Sequence, residues 1–288
     1  MSYLKQILNK NYYIYIVNNI ITKNIFIKTL NNLQTNNTNL FFDFEFNNKN
    51  IGLCQTMINN NIYLYHPEYF NNFELDLIKY TLYLSNHKKI LHGSVSQDIP
   101  YIYNFLNNKQ DIIKFTSTIY DTKFMFENIR NKNDKCSLYE ALKNSNTINN
   151  EQYNELLNIY NNKNKSCKSY WNVFNMPNDA YLYAAYDVIY LDLFYNNMIK
   201  NYNNLIINDI TKLIFLERNN ITHIIKNNKS LNKSNKNIKY NFIGLNIDYF
   251  RNYLIQIYNI YYSKNNRDLL ITLDNLGLKY FNNYLLSL

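Results

Sequence analysis

The chain has 288 residues, which is enough for one large domain or for one domain with an appendage. Hydrophobic residues make up 47% of it and aromatic residues 17%, so the chain can bury a sizeable core rich in Tyr and Phe. The formal net charge of +9 suits a polyanionic partner, although many proteins without such a partner are mildly basic.

The cysteines and the hydropathy exclude several classes of protein. Cys54, Cys136 and Cys167 are scattered without CxxC spacing, which argues against a zinc site or a disulfide framework and fits a reducing compartment. The first residues lack the apolar core of a signal peptide, and there is no apolar run of about 18 residues. We therefore expect a soluble intracellular protein of the cytoplasm or nucleus, with no membrane partner.

The residue usage is also biased. Asn, Ile, Lys and Tyr are abundant, whereas Gly and Pro number only 4 and 3. This bias is typical of an AT-rich genome, such as that of a large DNA virus or an AT-rich microbe, so a viral protein in an infected cell fits it. The Asn-rich stretches are accordingly interpreted as loops.

Hydrophobic periodicity predicts an alternation of strands and helices. In chain order the predicted elements are a strand at 12–17, a helix at 22–33, strands at 40–46, 51–58 and 62–65, a helix at 73–85, a strand at 89–91, a helix at 97–106, a strand at 119–120, and helices from 122, at 137–142, at 151–160 and from 178 to beyond 196. Three antiparallel strands followed by alternating helices and strands predict a mixed α/β sheet.

The strand at 40–46 carries two carboxylates among apolar residues. Because side chains alternate along a strand, Asp43 and Glu45 share one face, and Phe42, Phe44 and Phe46 take the other. A buried carboxylate is costly unless it is paired, and no Lys or Arg lies nearby in the sequence. The natural partner is a hard cation such as Mg²⁺ or Mn²⁺. The alternative is an edge strand with a solvated acidic face.

The segment from His92 to Asp98 follows a short apolar strand. It places Asp98 near the start of the next helix, where a carboxylate is electrostatically favourable. Asp98 is therefore either a functional acid or simply a helix cap.

The segment from Tyr181 to Leu191 is helical and predominantly apolar. Tyr183 and Asp187 are four residues apart and so lie on one helical face. Ala184 and Ala185 allow close packing of the backbone. Asp187 is then an acid in apolar surroundings, unless it is solvated and Tyr183 is a core residue.

Taken in order, these motifs resemble the DEDDy 3′–5′ exonucleases, and most of all the ribonuclease D and Werner-type exonuclease group. The resemblance covers about residues 10–200. It rests on Asp43-x-Glu45, on His92-Gly93 to Asp98, and on Tyr183-Ala184-Ala185-x-Asp187-Val188-x-Tyr190-Leu191, with further similarity at Tyr120-Asp121-Thr122, at Ser137-Leu138 and around Trp171. The spacing from His92 to Asp98 departs from the family pattern by one additional residue.

The resemblance implies a ribonuclease H-like fold, with a mixed β-sheet flanked by helices, and a two-metal-ion mechanism using Mg²⁺ or Mn²⁺. It implies that Asp43, Glu45 and Asp187 bind the first ion, that Asp43 bridges to the second, and that Asp98 acts mainly through coordinated water. Tyr183 would orient the attacking water. The implied reaction removes nucleoside 5′-monophosphates from the 3′ end of DNA or RNA. That end is expected to be single-stranded or frayed, because bases must unstack to reach such a site.

Two further residues are substrate candidates. Phe44 could stack on a terminal base, although a core position is the alternative for this residue and for Phe46. His92 could contact the substrate, although a single His beside Gly is often structural. The other histidines, His66, His87 and His223, follow no partner pattern.

The expected domains are an exonuclease domain at 1–200 and a helical C-terminal extension at 201–288. The extension contains a Lys- and Asn-rich loop at about 226–240, which could bind phosphates or be a solvated loop. It does not resemble the helical repeat often found in ribonuclease D. The alternative function is a catalytically inactive nucleic-acid-binding scaffold, which has little reason to keep all four acids and the Tyr. A calcium-binding protein would need an Asp-x-Asp-x-Asp-Gly loop, which the sequence lacks.

Overall fold

The computed structural model describes residues 2–7, 10–33, 38–94, 97–130, 136–166 and 171–201. Seven strands form one sheet with helices packed on both faces. The predicted C-terminal extension, with its Lys-rich loop, lies outside the described residues apart from Asn201. None of the described helices is long and apolar enough to cross a membrane.

The elements alternate along the chain. The strands are β1 (Ser2–Ile7), β2 (Lys10–Ile16), β3 (Asn39–Asn47), β4 (Asn50–Ile58), β5 (Asn61–Tyr65), β6 (Lys88–Leu91) and β7 (Ile119–Asp121). The helices are α1 (Ile20–Asn32), α2 (Asn72–Ile78), α3 (Asp98–Leu106), α4 (Lys109–Ser117), α5 (Thr122–Arg130), α6 (Leu138–Asn144), α7 (Asn150–Ser166) and α8 (Asn178–Asn201).

The sheet has the strand order β1-β2-β5-β4-β3-β6-β7. Strands β3, β4 and β5 form the predicted antiparallel meander, and β6 and β7 extend it in parallel from β3. This confirms the α/β class and the ribonuclease H-like mixed sheet. Strand β2 pairs in parallel with β5, and β1 forms an antiparallel hairpin with β2 at the sheet edge.

Two elements escaped the sequence patterns. Strand β1 was not predicted, because Ser2–Ile7 lies at a sheet edge and has few apolar residues to mark a face. Helix α4 (Lys109–Ser117) was also not predicted, since it is short and largely polar apart from its buried Ile112 and Phe115.

The predicted helix at 73–85 changes form part-way. Helix α2 begins with a capping box, in which the side chains of Asn71 and Glu74 each accept a hydrogen bond from the other's backbone N–H. From Lys79 to Tyr83 the helix continues as a π-helical turn, which is wider than an α-helix. There the Thr81 hydroxyl donates to the Leu77 carbonyl at 2.6 Å, so a side chain competes for an acceptor of the helix backbone.

Alternation along the strands gives the sheet two apolar faces. One face packs against α1 to α4, and the other against α5 to α8. In β3, Phe42 and Phe44 belong to the first layer, and Phe41 belongs to the second. The predicted separation of Phe42 and Phe44 from Asp43 and Glu45 is thereby confirmed.

A buried carboxylate ties the sheet to the long helix α8. Asp192 accepts hydrogen bonds from Lys10 Nζ at 2.8 Å, from Tyr12 Oη at 3.5 Å and from Asn196 Nδ2 at 2.7 Å. Two of these donors lie on β2, so the contact fixes α8 against the sheet. Of the two charged groups only Asp192 is buried, and Lys10 is partly exposed, so replacing Lys10 would leave a buried carboxylate without its cationic partner.

Lys89 on β6 is fully buried in the opposite layer. Its ammonium group donates to the Ser85 carbonyl and, at 2.8 Å, to Thr118 Oγ1. Both partners are neutral, so neither supplies a negative charge that would offset the loss of hydration of the ammonium group. Burial, and secondarily the charge of Lys114, lowers the pKa of Lys89 from 10.5 to about 7.

This lysine makes stability depend on pH. Between about pH 7 and 10.5 the unfolded chain carries a proton on Lys89 that the folded chain has released, so this group raises the free energy of unfolding as pH rises. In thermal melts from pH 6 to pH 9, the melting temperature of wild type should rise relative to that of Lys89→Met above pH 7. The exposed Lys49→Met is the control, and its difference from wild type should stay constant. A constant difference for Lys89→Met would contradict the prediction.

Candidate metal centre

Strand β3 supplies two acids to the face that α8 covers. Asp43 and Glu45 are half-buried and lie on the same side of the sheet as Phe41. The register of β3 and β4 shifts between Glu45 and Phe46, which makes a β-bulge beside the acids. Bulges recur next to active sites because they change the direction of a side chain at the end of a strand.

Helix α8 brings the third acid onto this face. Ala184 and Ala185 are fully buried, so the helix backbone can lie close to the sheet. Asp187 is 8% exposed, and Tyr183 is half-buried one turn before it. The predicted shared face of Tyr183 and Asp187 thus points towards the acids of β3.

Three carboxylates converge at this point. Asp43, Glu45 and Asp187 each offer an oxygen, and these oxygens all lie within 4.8 Å of one another. Among the described ranges they form the one group of three or more His, Cys, Asp or Glu side chains at such spacing. Three acids this close repel one another strongly unless a cation or a proton lies between them.

The surroundings fit a hard divalent cation. Gln55 on β4 lies directly opposite Asp43, hence on the same face, and is fully buried. Neither atom of its amide has a hydrogen-bond partner in the part of the chain that the structure describes. Such a group requires water or an ion to satisfy it. Carboxylate and amide oxygens without Cys or His favour Mg²⁺ or Mn²⁺ over zinc or copper.

Asp98, the fourth predicted acid, opens α3 and lies outside the three-carboxylate group. Burial raises its pKa well above the ordinary value, and the charges of Asp43 and Asp121 raise it further. Asp98 therefore interacts electrostatically with the centre without being one of its converging ligands. Its role through coordinated water stays a prediction.

Asp121 holds the turn that leads from β6 towards Asp98. Its carboxylate accepts from the backbone N–H groups of Gly93 and Ser94 at 2.9 Å each, from Ser94 Oγ at 2.8 Å and from the Lys123 N–H at 3.0 Å. Gly93 has φ +67°, a left-handed conformation that glycine adopts without strain.

The contacts of His92 favour its structural alternative, and a contact with substrate stays a prediction. The Thr122 hydroxyl donates to the Leu91 carbonyl at 3.0 Å, so it accepts from His92 Nδ1 at 2.9 Å. The Nε2 atom is buried, and the ring packs edge-on against Phe194. Burial lowers the pKa of His92 to about 4. A neutral ring held in this way has a structural role.

The position of Phe44 likewise favours its core alternative, and a contact with substrate stays a prediction. Phe44 is buried in the layer opposite to the acids and packs against Phe42 and Tyr101. The side-chain alternation that places Asp43 and Glu45 together is the reason that Phe44 points away from them.

Tyr183 lies among aromatic rings beside the acids. Its ring centroid is 6.2 Å from Trp171, 6.5 Å from Tyr139 and 5.9 Å from Tyr160. Burial, followed by the charges of Asp187 and Glu45, raises the pKa of Tyr183 far above its ordinary value. The Tyr183 hydroxyl therefore stays protonated beside these carboxylates.

Trp171 joins the segment before α8 to the β3–β4 hairpin. The Asn47 side chain accepts a hydrogen bond from the backbone N–H of Trp171 at 2.7 Å and donates one to the backbone carbonyl of Trp171 at 2.8 Å. Gly52 lies beneath, and a Cβ there would meet Trp171 Cβ at 2.6 Å and Asn47 Nδ2 at 2.9 Å. These contacts fix the Trp171 ring beside Tyr183.

Sequence reasoning missed two residues of this environment. Tyr139 donates a hydrogen bond to Asp187, and Gln55 lies opposite Asp43. A Tyr in a chain with 30 of them carries no local signal. Gln55 is a polar residue within a strand that is otherwise predominantly apolar, and that pattern could have drawn attention to it.

Comparisons with known proteins show similarity to a viral protein and to a solved domain. The uncharacterized protein L533 of Acanthamoeba polyphaga mimivirus is 35% identical over 217 residues, which are 62% of this chain and 42% of that protein. This chain therefore spans less than half the length of that relative. The EXO domain of Aedes aegypti Nibbler gives a TM-score of 0.42 at 14% identity, covering 70% of this chain and 91% of the domain. No family model matches the chain.

Gly52→Ala tests the packing of Trp171. The added Cβ has no room against the Trp171 and Asn47 side chains, so they must move, at a cost of about 1–3 kcal/mol as in other overpacked cores. We expect a lower melting temperature and a red-shifted emission spectrum. Trp171 is the one Trp in the chain, so its fluorescence reports on this site alone.

Asn47→Ala is the companion variant, because it removes both hydrogen bonds to Trp171 without adding bulk. It should shift the emission in the same direction. If Gly52→Ala keeps the wild-type melting temperature and spectrum, Trp171 does not depend on this contact.

Proposed function

We propose that this protein is a metal-dependent 3′–5′ exonuclease that removes nucleoside 5′-monophosphates from the 3′ end of DNA or RNA. One observation carries the proposal: Asp43, Glu45 and Asp187 converge within 4.8 Å from a strand and a helix that are distant in sequence. The ribonuclease H-like sheet and the order of the motifs support the same conclusion.

The carboxylates would hold the cations. Asp43, Glu45 and Asp187 would bind the first ion, and Asp43 with Asp98 would hold the second, in part through water. When bound, two divalent ions would neutralise charge on the scissile phosphate and on the leaving 3′ oxygen. In the reaction water adds to phosphorus, the bond from phosphorus to the 3′ oxygen breaks, and that oxygen gains a proton.

Tyr183 would orient the attacking water. Its hydroxyl is protonated and lies beside two of the acids, so it can direct the lone pair of a water molecule towards phosphorus. The rings of Trp171, Tyr139 and Tyr160 restrict its own motion. Such positioning contributes to rate without any change in the protonation of the tyrosine.

The substrate end would be single-stranded or frayed. A terminal nucleotide can reach carboxylates placed between a sheet and a helix only after it has left the stack of bases. The net charge of +9 favours a polyanion in general but does not distinguish DNA from RNA. Labelled DNA and RNA oligonucleotides, tested with Mg²⁺ and with Mn²⁺, decide between the two.

Removal of a single carboxylate tests the metal centre. Asp43→Asn and Asp187→Asn should abolish digestion of a 5′-labelled oligonucleotide. Each variant relieves repulsion among the acids, so the melting temperature in EDTA should hold or rise. The increase in melting temperature that Mg²⁺ or Mn²⁺ produces in wild type should be lost in both variants, because only the folded state binds the ion.

Asp179→Asn is the matched control, because Asp179 is exposed on the same helix as Asp187. It should digest and respond to metal as wild type does. Wild-type digestion by Asp43→Asn and Asp187→Asn would refute the mechanism. A wild-type protein that binds metal and nucleic acid without cleavage would instead be an inactive scaffold.

Tyr183→Phe tests the role of the hydroxyl. The substitution keeps the ring and its aromatic contacts, so Mn²⁺ affinity and the melting temperature should change little. We expect kcat to fall by about 10²–10⁴-fold, the range typical of one positioned group. Single-turnover kinetics would measure this loss, and wild-type turnover would exclude the tyrosine from the mechanism.

A further inference from the structure

We propose that Tyr139 is a positioning residue of the metal centre, whose hydroxyl fixes the carboxylate of Asp187 and whose ring fixes Tyr183. This inference rests on the proposed function and assigns a role to a residue outside the sequence motifs. Tyr139 lies on α6, far in sequence from both of the residues that it contacts.

The primary contact is a buried hydrogen bond. Tyr139 Oη donates to Asp187 Oδ1 at 2.9 Å, and both side chains are buried, at 6% and 8% exposure. Hydrogen bonds to a charged acceptor are stronger than those between neutral groups. A carboxylate has about four acceptor positions, and this bond occupies one of them. It also opposes rotation of the carboxylate about its terminal torsion.

The same side chain contacts Tyr183. The two rings meet edge to face, with centroids 6.5 Å apart and planes at 77°. This is the preferred arrangement of an aromatic pair. Since Tyr183 and Asp187 are one turn apart on α8, Tyr139 contacts both and sets their relative position.

Helix α6 holds Tyr139 firmly enough for this role. It begins with a capping box between Ser137 and Glu140, which fixes the backbone on either side of Tyr139. Beyond its other end, Asn197 of α8 donates to the Ser145 carbonyl at 3.2 Å and to Thr147 Oγ1 at 2.5 Å. Helix α6 is therefore tied to the helix that carries Asp187, so the two move together.

If Tyr139 had a purely structural role, loss of its hydroxyl would have different effects. Loss of its hydroxyl would lower the stability of the fold but would leave the metal affinity and the turnover of the folded protein unchanged. If Tyr139 is a positioning residue, loss of its hydroxyl should instead weaken metal binding and slow turnover, because a ligand that is free to rotate binds the ion more weakly. Groups that orient metal ligands typically contribute about 10–100-fold to affinity or activity.

The test compares Tyr139→Phe with wild type in the full chain. Isothermal titration with Mn²⁺ alone should show about 10–100-fold weaker binding. On a labelled single-stranded oligonucleotide kcat should fall, whereas KM should stay near the wild-type value.

Tyr63→Phe is the matched control. Tyr63 is buried on the opposite face of the sheet and loses a comparable hydrogen bond, at 2.8 Å to Thr29 Oγ1. It should lower the melting temperature but leave Mn²⁺ affinity and kcat unchanged. If Tyr139→Phe behaves in the same way, the positioning role is overturned while the nuclease assignment stands. If wild type neither binds Mn²⁺ nor cleaves any oligonucleotide, the proposed function itself fails, and the inference fails with it.

Discussion

Repulsion among three carboxylates between β3 and α8 is the constraint on which the site depends. Two unit charges about 4 Å apart repel by roughly 4 kcal/mol at the effective dielectric of a protein, and the three acids make three such pairs. The total is comparable with the whole stability of a typical domain, about 5–15 kcal/mol. A fold that brings Asp43, Glu45 and Asp187 together in this way is stabilised when a cation or a proton reduces that repulsion.

The remainder of the domain keeps these acids in place against that repulsion. Asp192 and its partners fasten α8 to β2, the small side chains of Ala184 and Ala185 let the helix approach the sheet, and Asn47 fastens the segment of Trp171 to the hairpin. Aromatic rings fill the space between these contacts. The abundance of tyrosine gives the centre both rigid packing and hydroxyl groups that can donate to carboxylates.

The sequence predicted the antiparallel meander, most element positions and the acids because each has a local signal. Alternation in β3 separates the acids from the phenylalanines, and the four-residue spacing in α8 aligns Tyr183 with Asp187. The same alternation places the ring of Phe44 on the opposite face, as its core alternative requires. Strand β1 and helix α4 lack a clear apolar period, so neither has a local signal by which it could be predicted.

The sequence by itself determined which side chains share a face, because that depends only on the repeat of a strand or a helix. Only the tertiary structure decided which faces meet. It placed Asp187 against Asp43 and Glu45, left Asp98 outside their immediate group, held His92 against Thr122 and Phe194, and brought Tyr139 and Gln55 to the acids. Those contacts join residues from separate elements, and their distances are set by how helices pack on the sheet, which no local pattern encodes.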